Sequence, residues 1–180
     1  MKIVLLSLFL FTVMTGYAQQ KRYPYVQNRK IIVCREGTEG VISSLIHPNW
    51  TTTPSHDETD AANNRLTAKF EVAAKDIAVT SSSTFTLQET VSRCASYSES
   101  SGDAGTWRVP TIRELRLIYA LRDELDNLPN AGSYWSYTTV SSDSNKAWGV
   151  RFDNSTIRGS IASFEKSTYN FVRGRCIRDL

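Results

Sequence analysis

Few side chains in this sequence have the types and spacing to do chemistry. Its three cysteines are Cys34, Cys94 and Cys176, and their spacing fits no zinc knuckle. In an exported chain an odd count implies one disulfide and one thiol left over. Cys94 falls on a predicted helix and Cys176 in the last predicted strand, so these two are paired here; Cys34 is then free or bridges two chains. His47, His56, Asp57, Glu58 and Asp60 offer metal-ligand atoms, but no H-x-x-x-H helix carries them and Pro48 and Pro54 break the loop, so no metal and no cofactor is expected. Both histidines share that loop, and no Ser/His/Asp arrangement can be assembled around them. The expectation is a protein that is not an enzyme.

Trp107, Trp135 and Trp148 could stack on sugar rings, but they read as packing residues, whereas Trp50 is freer to act at a surface. Arg151, Arg158, Arg173, Arg175 and Arg178 could face an acidic ligand. Alternating along strands, they read as the solvated face of an antiparallel sheet. Asn49-Trp50-Thr51 and Asn154-Ser155-Thr156 match the glycosylation sequon but carry no weight in a chain whose leader looks bacterial.

Residues 1–18 have the parts of a secretory signal: Lys2, an apolar run from Ile3 to Met14, and small residues at Gly16 and Ala18. That run is shorter than the ~20 residues that span a bilayer. No membrane span is expected, and the address is secreted, cell-surface or periplasmic. The formal net charge of +3 is near neutrality and carries no basic stripe, so nucleic acid is not a partner.

Residues 19–67 read as an N-terminal extension and 68–180 as one domain. Gln19 to Asn28 is polar and aromatic without periodicity, and is expected to order only on docking. Lys30 to Arg35 is a short strand and Lys69 to Ala73 another. Thr86-Leu87-Gln88-Glu89 is a capping box opening a helix whose stripe is Leu87, Val91, Cys94 and Ala95. Thr111 and Glu114 form a second box. Pro110 turns the chain just before it, and Leu115, Ile118, Tyr119, Leu121 and Leu125 give the helix an apolar face ending before Pro129. Four short strands follow, at Tyr134–Thr138, Lys146–Phe152, Thr156–Ile161 and Tyr169–Ile177. The fold class is α+β: two helices packed on a small antiparallel sheet, with a β-containing extension.

In order, Cys94, Trp107-Arg108-Val109-Pro110-Thr111-x-x-Glu114-Leu115, Tyr134-Trp135-Ser136, Ala147-Trp148-x-Val150-x-Phe152 and Arg175-Cys176-Ile177-Arg178 resemble the Lcl C-terminal domain family of secreted bacterial proteins over about residues 68–180. That family is similar in fold to C-type lectins and related in pattern to the major paralogous domains of fibrolytic bacteria. The resemblance implies a C-type lectin-like fold, in which the first helix is commonly bridged to the last strand, the positions of Cys94 and Cys176. Calcium-dependent sugar binding does not carry over: Leu128-Pro129-Asn130 and Trp148-Gly149-Val150 stand where the lectin motifs would be and lack the oxygens calcium needs.

The function expected is therefore a secreted, non-catalytic binding or adhesion module for a glycan or surface protein, within a surface or fimbrial assembly. Its ligand residues are placed on the loops Thr139–Lys146 and Asp153–Phe164, at Ser142, Asp143, Asn145, Asn154 and Arg158. One alternative is an oligomeric, pilus-type structural subunit that uses the extension and Cys34. Another is an oxidase, because some formylglycine-generating enzymes share the general fold.

Overall fold

The computed structural model describes residues 24–33, 66–77, 84–128, 132–153, 159–168 and 171–180. The signal, Cys34, Trp50, the His47/His56 loop, Asn154 and Arg158 lie outside these residues.

Both capping boxes form. Thr86 Oγ1 accepts from the Glu89 N–H at 3.2 Å while Glu89 Oε2 accepts from the Thr86 N–H at 3.0 Å, starting α1 (Leu87–Ser96). Thr111 and Glu114 do the same at 3.3 and 2.8 Å, starting α2 (Ile112–Ala120), which runs into a 3₁₀ turn at Arg122–Glu124. Each box satisfies two N–H groups that a helix start otherwise leaves without partners.

The strands form two sheets among the described residues. One has β1 (Tyr25–Gln27), β2 (Lys30–Ile32), β3 (Lys69–Val72), β9 (Ile177–Asp179) and β4 (Trp107–Arg108) in that order, all antiparallel. The other has the order β7 (Ile161–Glu165), β6 (Asp143–Arg151), β5 (Ser133–Val140) and β8 (Val172–Arg173). Neighbouring residues on β5 face opposite ways. Trp135 packs with Leu87 and Cys94 of α1, and Tyr134 with Leu115 and Ile118 of α2, so each face of the second sheet is covered by a helix. Among the described residues the result is α+β, with two helices, two sheets and more strand than helix.

Several expectations change. The single antiparallel sheet becomes two, and β8 pairs with β5 in parallel. The last run, expected as one strand from Tyr169 to Ile177, divides because Gly174 passes so close to Ile77 and Thr90 that a Cβ there would lie 2.5 and 2.7 Å from their side chains; the chain crosses from one sheet to the other at that point. The strand expected to end at Ile161 instead starts there: Gly159, at φ +75°, turns the chain against the Tyr119 ring. Thr139–Lys146 is not a loop, since β5 and β6 continue until only Ser141 and Ser142 remain as the turn. On α1, Ala95 is exposed and Thr90 fills the buried stripe, with its hydroxyl donating to the Thr86 carbonyl at 2.9 Å.

The N-terminal stretch also contains β1, which pairs with β2 across a two-residue turn with Asn28 and Arg29 at φ 50° and 62°, the signs a type I′ hairpin needs. Asn visits this region readily and Arg does not. β2 pairs with β3, and Ile31 is completely buried in the core around α2.

Cys94 and Cys176 form the expected disulfide, with Cα atoms 5.5 Å apart and 82 residues between them in sequence. On the chain-entropy account, closing that loop stabilises the fold by about 4 to 5 kcal/mol. Replacing both cysteines with alanine is expected to lower the unfolding free energy by about that amount in denaturant titrations. A loss under about 1 kcal/mol would show that the bridge does not constrain the unfolded chain.

Candidate ligand-binding cleft

Between its pairs Trp135↔Gly149 and Thr139↔Ala147, β5 has three residues where β6 has only Trp148. The surplus bows away from β6 as a bulge. The Tyr137 N–H donates to the Pro110 carbonyl at 2.8 Å, the Ile112 N–H donates to Thr138 Oγ1 at 3.0 Å, and the Ser136 hydroxyl donates to the Trp148 carbonyl at 2.7 Å. The strand is thereby held by the turn that opens α2, and the Tyr137 side chain is 43 % exposed.

Beside it lies a cleft of about 330 Å³, walled by Leu87, Gln88 and Val91 of α1, Tyr137 and Thr139 of β5, and Lys166 and Ser167 beyond β7. The start of α1 is fastened to this place: the Leu87 N–H donates to the Lys166 carbonyl at 3.1 Å, the Phe85 N–H to the Val172 carbonyl at 3.2 Å, and the Trp135 indole N–H to the Phe85 carbonyl at 2.7 Å. Lys166 Nζ donates to Thr139 Oγ1 at 2.9 Å and to the Ser144 carbonyl at 2.8 Å. A half-exposed phenol, an apolar wall and a fixed ammonium together can bind a small group that is apolar on one side and accepts hydrogen bonds on the other.

Of the ligand residues expected from sequence, Ser142, Asp143 and Asn145 sit together at the β5–β6 hairpin tip, beside the cleft's Lys166. Asp143 accepts from the Asn145 N–H at 3.0 Å and pairs with Lys146 Nζ at 3.1 Å, and both contacts hold its carboxyl below the usual range. Asn145 is tied back through its carbonyl, which accepts from the Lys166 N–H at 2.9 Å. Gln88, Tyr137, Lys166 and Ser167 were not legible as a group, because the long-range packing of α1 on the bulge assembles them. Trp107 and Trp135 are buried, at 2 % and 0 % exposure, and Trp148 is half-buried.

Two other charged clusters are closed. Arg175 is not on a solvated face: it is 1 % exposed, donating to the Ala73 and Asn127 carbonyls at 2.8 and 2.7 Å. Its Nε lies 2.8 Å from Asp76 Oδ1, close enough for an ion pair but not aligned as a hydrogen bond. The Tyr134 hydroxyl donates to Asp76 Oδ2 at 2.9 Å, and burial together with that carboxylate pushes the phenol's pKa up. In the second cluster, Arg178 joins Glu71 at 2.6 Å to Asp103 at 3.3 Å, and Arg29 joins Glu71 at 3.3 Å to Glu99 at 2.8 Å. Each of these carboxylates faces a guanidinium, an arrangement suited to holding elements together rather than moving protons. Among the described residues, no three His, Cys, Asp or Glu side chains gather as a metal site, and no helix is long and apolar enough to cross a membrane.

A family model described as Lcl C-terminal domain matches residues 47–178, well over half of the chain. The chain belongs to the Lcl C-terminal domain family. No curated protein and no solved structure matches it. The β1–β2 hairpin precedes the Lcl match, while every cleft residue lies within it. Membership and the disulfide fit an extracellular bacterial protein.

The second cluster predicts a pH dependence. Desolvation raises the Glu99 pKa, but Arg29, the Ala74 N–H and the Tyr97 hydroxyl outweigh it and lower the value to about 2 from 4.5. A lowered folded pKa adds stability above pH 4.5 that is lost as pH falls toward 2. Fully expressed, the shift would be worth about 3 kcal/mol; allowing for the water that reaches this residue, about 1 to 2 kcal/mol is expected. Unfolding of wild type and Glu99→Gln from pH 6 to about pH 2 should show the two converging as the pH drops. A constant difference would contradict the assignment.

Proposed function

We propose that this chain is an exported, non-catalytic binding or adhesion module of the bacterial surface, with its contact site in the cleft at Tyr137 and its rim at Ser142, Asp143 and Asn145. The observation that carries this reading is the cleft itself, where the bulge leaves an aromatic ring half-exposed beside an apolar helix face and an ammonium. Family membership supports it. We take the fold as C-type lectin-like, supported by the bridge from α1 to the residue that enters β9. Secretion rests on the leader at residues 1–18 together with the family and the disulfide.

Ligands of either kind, glycan or surface protein, are retained on this reading without calcium. The alternative of an assembly subunit that donates its extension as a strand gains no support from β2, which is engaged on the chain's own β3.

The test is retention of the purified chain on a glycan array and on intact bacterial and host cells, with calcium and with EDTA. Saturable binding, unchanged by EDTA and reduced about five-fold or more by Tyr137→Ala, is expected. No saturable binding to any surface, or binding indifferent to Tyr137→Ala, would count against the cleft.

A further inference from the structure

The donors around the cleft narrow its ligand. An ammonium has three protons, and two on Lys166 are engaged by the neutral oxygens of Thr139 and Ser144. No carboxylate among the described residues forms an ion pair with it. Asp143, near enough to feel its charge, is 3.1 Å from Lys146, and Glu165 is 3.4 Å from that same lysine. Glu89 is folded back onto Thr86. Lys166 is thus a positioned cation with one donor left and, among the described residues, no carboxylate in ion-pair contact.

Beside it, the first turn of α1 presents a second donor. The Leu87 and Glu89 N–H groups have acceptors in the Lys166 carbonyl and Thr86 Oγ1, but the Gln88 N–H between them has none among the described residues. Helix starts favour negative charge. Leu87, Val91 and the Tyr137 ring complete the walls with apolar surface, and about 330 Å³ accommodates one side chain with its neighbouring atoms.

We infer that the cleft takes the C-terminal carboxylate of a protein whose last side chain is apolar, the carboxylate meeting Lys166 and the Gln88 N–H while the side chain lies against Leu87, Val91 and Tyr137. A main-chain terminus places charge and apolar side chain on the same carbon, and capture of such a terminus is a recurrent mode of peptide recognition. A polyanionic chain fits less well, because it would meet one unpaired cation and an apolar wall. The inference rests on the reading of the chain as a binding module.

The experiment titrates isotope-labelled full chain with the peptide Gly-Ser-Gly-Gly-Leu bearing a free carboxylate, followed by backbone NMR. The same peptide amidated, an amidated peptide ending in Asp, and glucuronic acid are titrated in parallel. Expected are saturating shifts at Gln88, Val91, Tyr137 and Lys166 with the free carboxylate, and affinity about ten-fold lower with the amide. Lys166→Met should weaken binding by a similar factor. Because that lysine also fastens Thr139, Gln88→Pro serves as a second variant: it removes the N–H in the first turn of α1, where proline is tolerated, and is compared with Gln88→Ala, which loses the same side chain and keeps the N–H. The proline chain should bind the acid about five-fold more weakly than the alanine chain, with the amide unaffected.

Equal binding of acid and amide, preference for the Asp peptide or glucuronic acid, or no shifts at about 5 mM peptide would overturn the inference. If these peptides fail while Tyr137-dependent retention on cells or glycans persists, the binding-module reading stands and this ligand assignment falls.

Discussion

Five donors converge on one buried carboxylate. Glu114 is 0 % exposed and accepts from the Thr111 N–H at 2.8 Å, from both terminal nitrogens of Arg108 at 2.8 Å, and from the Thr67 N–H and hydroxyl at 3.2 and 2.9 Å. Arg108 also reaches Asp179 on β9. Burial works to lower the Arg108 pKa, but Glu114 and Asp179 outweigh it and raise the value. A buried pair of this kind is not a large net stabiliser compared with apolar packing, yet losing one partner leaves a charge stranded, at a cost of about 3 to 5 kcal/mol. The contact therefore acts chiefly as a constraint on geometry: α2, β4, β9 and the segment entering β3 must meet at this point.

The constraint extends to the cleft through the backbone. Once Glu114 fixes the start of α2, Pro110 and Ile112 are in place to hold the Tyr137 N–H and the Thr138 hydroxyl, and the bulge in β5 keeps its form. On the opposite face of that sheet, the disulfide and the capped start of α1 bring Leu87, Gln88 and Val91 to the other wall. The N-terminal hairpin contributes from a distance, since Ile31 fills the α2-side core and Arg29 clamps Glu71 and Glu99.

Local chemistry was readable from sequence where neighbours in the chain supply both partners. The Thr86/Glu89 and Thr111/Glu114 boxes are of this kind, and the disulfide followed from which elements carry the cysteines. The role of Arg108 has no signal within the motif, because a guanidinium six residues before a carboxylate has no pattern until the Pro110 turn folds them together. Arg175 departs from the expected solvated face for a similar reason: strand alternation predicts which way a side chain points, not whether Asp76 and the Ala73 and Asn127 carbonyls cover it. The hairpin at Asn28-Arg29 was hidden by an arginine where glycine is usual. The cleft was the least legible feature, as its walls come from α1, β5 and the turn after β7, and only the bulge count distinguishes Tyr137 from an ordinary strand residue.

That the Glu114 contact sets the conformation of the bulge ties these parts together. It is tested most directly by amide hydrogen exchange in Glu114→Gln. The Tyr137 and Ile112 amides should exchange about 100-fold faster than in wild type, well beyond any change at Thr90 in α1, which reports global opening. Protection at Tyr137 that is unchanged, or that falls only in step with Thr90, would contradict the account.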